Sequence, residues 1–577
     1  MANYGVKVQQ QDGNLGLQSG SNANTMLVMG CALAGIVGVI YSFSDPVSAT
    51  STLVGGEGLE AVQYCLKTSP GSTMMFMPTN PSTRGGVGAV TQTGTGAMVV
   101  TPTLAPQAAI SIQCSTAGTL GTAAFIFTVG GVASAPVVSA AGWSSTGYFI
   151  PGTYTNWVAT AGAYVAGGTP DIYTISTTGV IAHPQGTGPA VGSFTSSPVD
   201  FYRVLVTVTL GGAVGTSQIT YSLDNGNSTS SALVTAASYA IPNTGIVLGL
   251  SGTANAKDTY AFVVAPPTFA NTDLTSNLTL IETTLLVQQI ESLIWVAGSV
   301  ASAAAWATQV ALLESAAVTL AGSNIFVRFI VGGPTVGTVL QNAGSVTVDA
   351  ADTDATVIAA RAGMSAPHVC VCAGDGFMTS SYSGLQFRRN TSWGAAARAV
   401  GNAASQDIGA REDGGIALFT LLARDDFATG ENFWTAGITS FQTDGPGPIF
   451  ISQGLMGTVS TSDYYTLTNA RVVDRASRIG AAFLKRYQLK KLSTQTRGQT
   501  TGTIREDAAA KIETGVKRAL KSGLVDGNPQ DAVAVGAQTV RTNSLYSTGQ
   551  LNVNGSVQPY AYPTAINFTV GVTVQAS

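Results

Sequence analysis

Between residues 96 and 270 the chain carries two basic residues, Arg203 and Lys257, and four acidic ones, Asp171, Asp200, Asp224 and Asp258. The same stretch repeats itself. "AGTLGTAAFIFTVGG" from Ala117 is matched by "GGAVGTSQITYSLDNG" from Gly211, and "YFIP" from Tyr148 by "YAIP" from Tyr239. Asp171-Ile172-Tyr173 is matched by Asp258-Thr259-Tyr260, so offsets of 94, 91 and 87 residues keep the order and nearly keep the spacing. Short alternating strands with Gly, Asn and Pro turns about every ten residues predict two small β-sandwich modules, 96–199 and 200–270. Two copies make a decoration, not a solenoid.

The flanks follow another rhythm. An apolar run from Met26 to Ile40, a turn at Gly55-Gly56-Glu57-Gly58, a helix-like Leu59 to Lys67 and "STMMFMPTN" make a strand–helix–strand unit. The pattern resumes after residue 270 with a helical Leu274 to Leu286, "QQIESLIWVAG", an Ala-rich helix from Ser302 to Leu320 and "SNIFVRFIVGG". "PHVCVCAGDG" and "GGIALFTLLA" read as two more buried strands. The expected fold is therefore a mixed α/β (α+β) core, 23–95 and 271–470, interrupted by the β-modules. A chain of 577 residues exceeds a single core in any case.

With 10 % charged residues, well under the usual quarter or so, little keeps copies of this chain apart, which suits an ordered building block. A net charge of −4 argues against direct nucleic-acid binding. The Met26 to Ile40 run is too short for a membrane helix and lacks a basic leader, so the expectation is cytoplasmic folding and no stable membrane insertion.

Half of the 26 bases fall between Arg471 and Lys521, 13 against four acids. Val472, Ala476, Ile479, Phe483 and Tyr487 share one helical face, with Arg471, Arg475, Arg478 and Lys485 on a neighbouring stripe. A second helix is expected to open with a Thr503-Ile504-Arg505-Glu506 capping box, bury Ile504, Ala508, Ile512, Val516 and Leu520, and stop at Gly523. Ordinary solvated faces, nucleic-acid binding and docking onto an acidic protein are three readings of these bases. Interleaved aromatics, which nucleic-acid binding would favour, are missing. The chain closes on Ile566, Phe568, Val570, Val572 and Val574 alternating with polar residues and Gly, a strand with nothing after it to pair with.

Chemistry-bearing groups are sparse. Cys31, Cys65, Cys114, Cys370 and Cys372 read as buried thiols, not a disulfide framework. His368, Cys370 and Cys372 alternate on a strand but have no fourth ligand in view, so a buried strand face outweighs a zinc site. The Gly55 to Gly58 turn lacks the Lys-Ser/Thr of a P-loop, and Asp425-Asp426 reads as a solvated loop. No catalytic, cofactor-binding or metal residues are assigned, and the chain is not read as an enzyme.

"LVMGCALAG" with "LVGGEGLEAVQYCL", then "SDYYTLTNARVVDRASRIGAAFLKRY", "GTIREDAAAKIETGVKRAL" and "GQLNVNGSVQPYAYPTAINFTVGVTVQAS" resemble the N- and C-terminal regions of contractile phage tail sheath proteins. "GAVGTSQITYSLDNG" resembles an inserted β-module of some members. The resemblance covers roughly residues 1–95 and 270–577. It implies a structural subunit in the virion tail, assembled in the bacterial cytoplasm, that stacks as hexameric rings around a tail tube and contracts to drive the tube through the host envelope. Implied partners are the chain itself, the tube protein, and baseplate and tail terminator proteins. It implies exchanged arms as well: an N-terminal arm (1–22) with Tyr4, Val6 and Val8, and a C-terminal arm (561–577) with Ile566 to Val574. Between them a C-terminal domain (471–560) would face the tube through Arg471, Arg475, Arg478, Lys485, Lys490 and Lys491. A phage-derived bacteriocin or injection device is the nearest alternative, and a self-assembling surface protein or adhesin a more distant one.

Overall fold

The computed structural model describes residues 25–561 apart from 83–84, 88–89, 94–96, 103–108, 146, 151–152, 176–180, 186–192, 197, 285–292, 299, 301, 324, 335–352, 382, 423–432, 444–447, 497–501 and 528. The chain divides into two compact units. Of the described residues, the smaller takes 402–407 and those from 467 on, and the larger 25–401 and 408–466.

At the centre of the larger unit is a seven-stranded sheet. Its spatial order is Tyr41–Phe43, Thr73–Pro78, Thr25–Gly30, Leu293–Val296, Arg328–Gly332, Ala366–Cys372 and Met456–Gly457. The four inner joins are parallel and the two edge strands antiparallel. Leu27 lies beside Ile294, so the two flanks of the charge-poor stretch build one sheet.

A parallel sheet needs both faces covered. The helices that do so are α1 (Pro46–Leu53), α2 (Glu57–Thr68), α3 (Asn271–Thr284), α4 (Ala303–Gly322), α5 (Asp354–Ala362) and α6 (Thr391–Gly401). Leu27, Met29, Ile294, Val296 and Phe329 share a core with Leu274 of α3 and Trp306 and Leu313 of α4. Across the sheet, Trp295 stacks edge-on against Trp393 of α6 at 5.2 Å and donates from Nε1 to Ser392 Oγ at 3.1 Å. The expected Met26 to Ile40 strand stops at Gly30: Cys31 and Leu33 instead hydrogen-bond to the Gly55 to Gly58 turn, and Gly35 and Gly38 bend the chain further at φ of 110° and 80°. The expected "GGIALFTLLA" strand, Phe419–Leu422, pairs with Asp375–Thr379 in a separate three-stranded sheet instead of joining the core.

Two sandwiches lie between the flanks. The first packs Ile110–Thr116, Ala124–Val129 and Ile172–Ile175 against Tyr148–Phe149 and Thr155–Val158 around Phe125, Phe127 and Trp157. The second packs Tyr202–Leu210, Gln218–Ser222 and Thr259–Ala265 against Ser238–Ile241 and Ile246–Ser251. The sequence repeat extends to single hydrogen bonds. Gly121 N donates to Ser139 Oγ and Gly215 N to Thr235 Oγ1, both at 3.1 Å. Phe127 N donates to Ser134 Oγ and Tyr221 N to Ser230 Oγ, both at 3.0 Å. Val165 N reaches Asp171 Oδ2 at 2.7 Å, as Asn255 N reaches Asp258 Oδ2 at 2.8 Å.

The boundaries differ from those read in sequence. Ala97–Pro102, placed there in the first module, pairs with Ile246–Ser251 of the second, and Thr91–Thr93 pairs with Thr259–Ala265. The corresponding places in the first module are filled by Ile181–Gln185 and Ser193–Ser196, which follow their sheet partners in the chain where the former pair precedes theirs. The first module is thus nested inside the second. Strand pairing is non-local, and composition alone cannot draw this boundary.

The smaller unit packs α7 (Leu467–Leu484) and α8 (Glu506–Leu520) with an antiparallel ribbon, Ala532–Thr539 with Val553–Pro559. The expected faces bury Val472 and Ala476 on α7 and Ile512, Val516 and Leu520 on α8, although Ala509 is buried where Ala508 is only partly so. The helix is capped two residues later than expected, at Arg505. Thr503 bridges to Ser544, and Glu506 binds Arg541 instead of turning back on the helix. The helix also runs past Gly523 as a wider turn, Lys521–Val525.

Candidate assembly interface

One face of the ribbon rests on α7 and α8, with Val535, Ala537, Val553 and Val557 against their apolar stripe. Among the described residues each of its two strands pairs only with the other, so each leaves an outer edge of backbone N–H and C=O groups without a strand beside it. A two-stranded sheet is marginal by itself, and an open edge is a template for a further strand. The sequence pattern does not mark this ribbon. "DAVAVGAQTV" alternates too weakly, with Ala or Gly in four of its ten places, to show a buried face. Tyr4, Val6 and Val8, and Ile566, Phe568, Val570, Val572 and Val574, lie outside the described residues.

The six bases expected on a docking surface separate. Arg471 is 3 % exposed, and its Nη2 donates to the carbonyl of Asn402 at 3.2 Å, so it holds the unit together and is unsuited to meeting a partner. Arg475 forms an ion pair with the buried carboxylate of Asp531. Arg478 and Lys485 are half-buried, and burial lowers the Lys485 pKa. Lys490 and Lys491 are exposed, Lys490 5.1 Å from the centre of the Tyr487 ring. They flank a knuckle where Leu489 is 100 % exposed at a φ of 56°, a conformation unusual for a branched side chain. The reversal of charge along α8 is local: Arg541 donates to Glu513 at 2.8 Å and to Glu506, and holds both carboxyls below their ordinary values.

The remaining candidates for chemistry turn inward. His368 Nδ1 meets Glu314 of α4 at 2.7 Å and does not join Cys370 and Cys372, which are fully buried. Burial pushes the Cys372 and Cys65 thiols up, away from thiolate character. Among the described residues no group of three His, Cys, Asp or Glu could hold a metal. In the Gly55 to Gly58 turn, Gly58 N donates to the carbonyl of Cys31 at 2.8 Å, and a Cβ there would lie 2.4 Å from Phe76, so tight packing accounts for the glycine. Asp425 and Asp426 lie outside the described residues.

No family model and no curated protein matches this chain. Solved structures do. The chain is similar to contractile tail sheath proteins. The sheath tail protein of Listeria innocua shares 9 % identity, with 93 % of this chain and 95 % of that one covered and a TM-score of 0.38. For that of Desulfitobacterium hafniense the values are 10 %, 95 %, 100 % and 0.38. The contracted helical sheath of the anti-feeding prophage gives 10 % identity over 54 % of this chain and 78 % of that one, with a TM-score of 0.32.

Proposed function

We propose that the chain is the structural subunit of a contractile tail sheath. It stacks as hexameric rings around a tail tube and contracts to drive the tube through a cell envelope. The observation that carries this reading is the ribbon, Ala532–Thr539 with Val553–Pro559, whose two outer edges have no strand beside them among the described residues, in a chain that also carries the alternating segment Ile566 to Val574. Two open edges accept two arms, residues 4–8 and 566–574 of neighbouring copies, through backbone pairing with register set by alternate side chains. Burying the five apolar side chains of the C-terminal arm contributes on the order of 7–15 kcal/mol. Ordering about ten residues opposes this by roughly 10–20 kcal/mol, so the arm depends on the lattice. Many such junctions act together and let subunits rotate while they stay threaded. Lys485, Lys490 and Lys491, with Arg478, face the tube, where salt-sensitive contacts can release during contraction. Baseplate and terminator proteins cap the lattice, in a tail assembled in the bacterial cytoplasm.

Electron microscopy of the full-length chain beside a copy ending at Tyr562 tests this. Rings or striated hollow tubes from the full chain alone are the expected result. If both copies stay monomeric with tube protein supplied, the sheath reading fails.

A further inference from the structure

The first turn of helix α2 carries two acidic residues, Glu57 and Glu60. Glu60 is 6 % exposed and accepts from Ser380 Oγ at 2.5 Å. Glu57 lines a pocket with room for about 190 Å³, walled also by Phe201, Ala265, Pro266 and Thr268, where the chain enters and leaves the second β-module. Asp200, 3 % exposed, sits at the same root, and both its carboxylate oxygens accept from Arg389 Nη2, at 2.9 and 2.8 Å.

Arg389 therefore faces three carboxyls, Asp200, Glu57 and Glu60, while bonded to the first alone. Its strand neighbour Arg388 bonds across the pocket to Asp375 at 2.7 Å. Beyond that, Arg203 lies over the Phe377 ring and reaches the carbonyl of Asp224. Tyr154 from the first module, Tyr202 from the second and Cys31 after the first core strand close the cluster, and none of them brings positive charge. The Tyr154 hydroxyl is buried without a hydrogen-bond partner. Three carboxyls, two of them buried and Glu57 half-buried at the pocket, share the Arg389 guanidinium, and each disfavours the ionisation of the others. Burial first, and Asp200 beside them, push Glu57 and Glu60 up to about 7.

We propose that this cluster is a proton-operated joint between the β-modules and the α/β core. With protons on Glu57 and Glu60, the Arg389–Asp200 clasp holds the module root against α2; their loss leaves uncompensated negative charge inside, and the root loosens. The sign follows from linkage: acids whose folded pKa is raised hold more protons folded than unfolded, so stability is greatest below the ordinary Glu value and falls as pH rises through about 7.

Hydrogen exchange of the full chain, corrected for intrinsic rates, tests the joint. Protection of residues 198–204 and 265–268 should drop at least about tenfold between roughly pH 6 and pH 8 in the native chain. In the variant carrying Glu57→Gln and Glu60→Gln it should stay high throughout. A native chain whose protection does not change with pH, or a double variant that follows the native curve, overturns the proposal. Infrared spectroscopy of the native chain is independent of how the variant folds. A protonated carboxyl band that titrates near neutrality supports the joint, and its absence at pH about 6 refutes it.

Discussion

Arg471 shows how much one side chain's surroundings decide. Helical spacing sets it on the basic stripe with Arg475 and Arg478, and that stripe is present on α7. Residues 402–407, far upstream, fold under one end of it and take the guanidinium through the carbonyls of Asn402 and Ala403. A stripe is legible in spacing; the segment that covers it is not. Arg471→Ala should lower the stability of the smaller unit by about 2–4 kcal/mol, because it removes a buried side chain together with its hydrogen bonds to the 402–407 segment. Reversing Lys490 and Lys491 together to Glu should change stability by less than about 0.5 kcal/mol and abolish low-salt binding to tube protein. Urea midpoints and salt-dependent pull-downs check the pair. The opposite ranking would return the docking role to Arg471.

At the scale of elements, patterns with a local cause were readable. Apolar runs mark the core strands, and the Ala-rich helix from Ser302 is α4, capped by Ser302 accepting from Ala305 N at 3.2 Å. The repeat at 94, 91 and 87 residues reappears as matched turns. What sequence did not yield depends on distant partners. Glu506 is taken by Arg541, and Glu57 and Glu60 of α2, Asp200 and Arg389 meet from three separate places in the chain. Nesting makes a sharp prediction. Replacing residues 106–197 by a short linker leaves Ala97–Pro102 its partner, Ile246–Ser251, and should give a soluble chain with a Tm within several degrees of the native one. Replacing residues 200–264 instead strips that strand of its partner and should give aggregates. Calorimetry and size exclusion decide; equal behaviour of the two deletions would mean that the modules close independently.

For the whole molecule, the proposed lattice and the chain's own folding draw on the same device, a strand that needs a sheet from elsewhere. Hydrogen exchange of residues 566–574 should be fast in monomers and strongly slowed in assembled tubes; protection already present in monomers would remove the need for neighbours. Inside one chain the nested modules pose the same problem in time. Ala97–Pro102 leaves the ribosome about 150 residues ahead of Ile246–Ser251, which at about 5–20 residues per second is a wait of roughly 10–30 s. During that interval an apolar strand, "AMVVTP", is exposed on a nascent chain while the whole first module is made and can fold beside it. The rate of synthesis, and whatever shields a nascent strand in the host, thus bear on the yield of correctly closed subunits before any ring is formed.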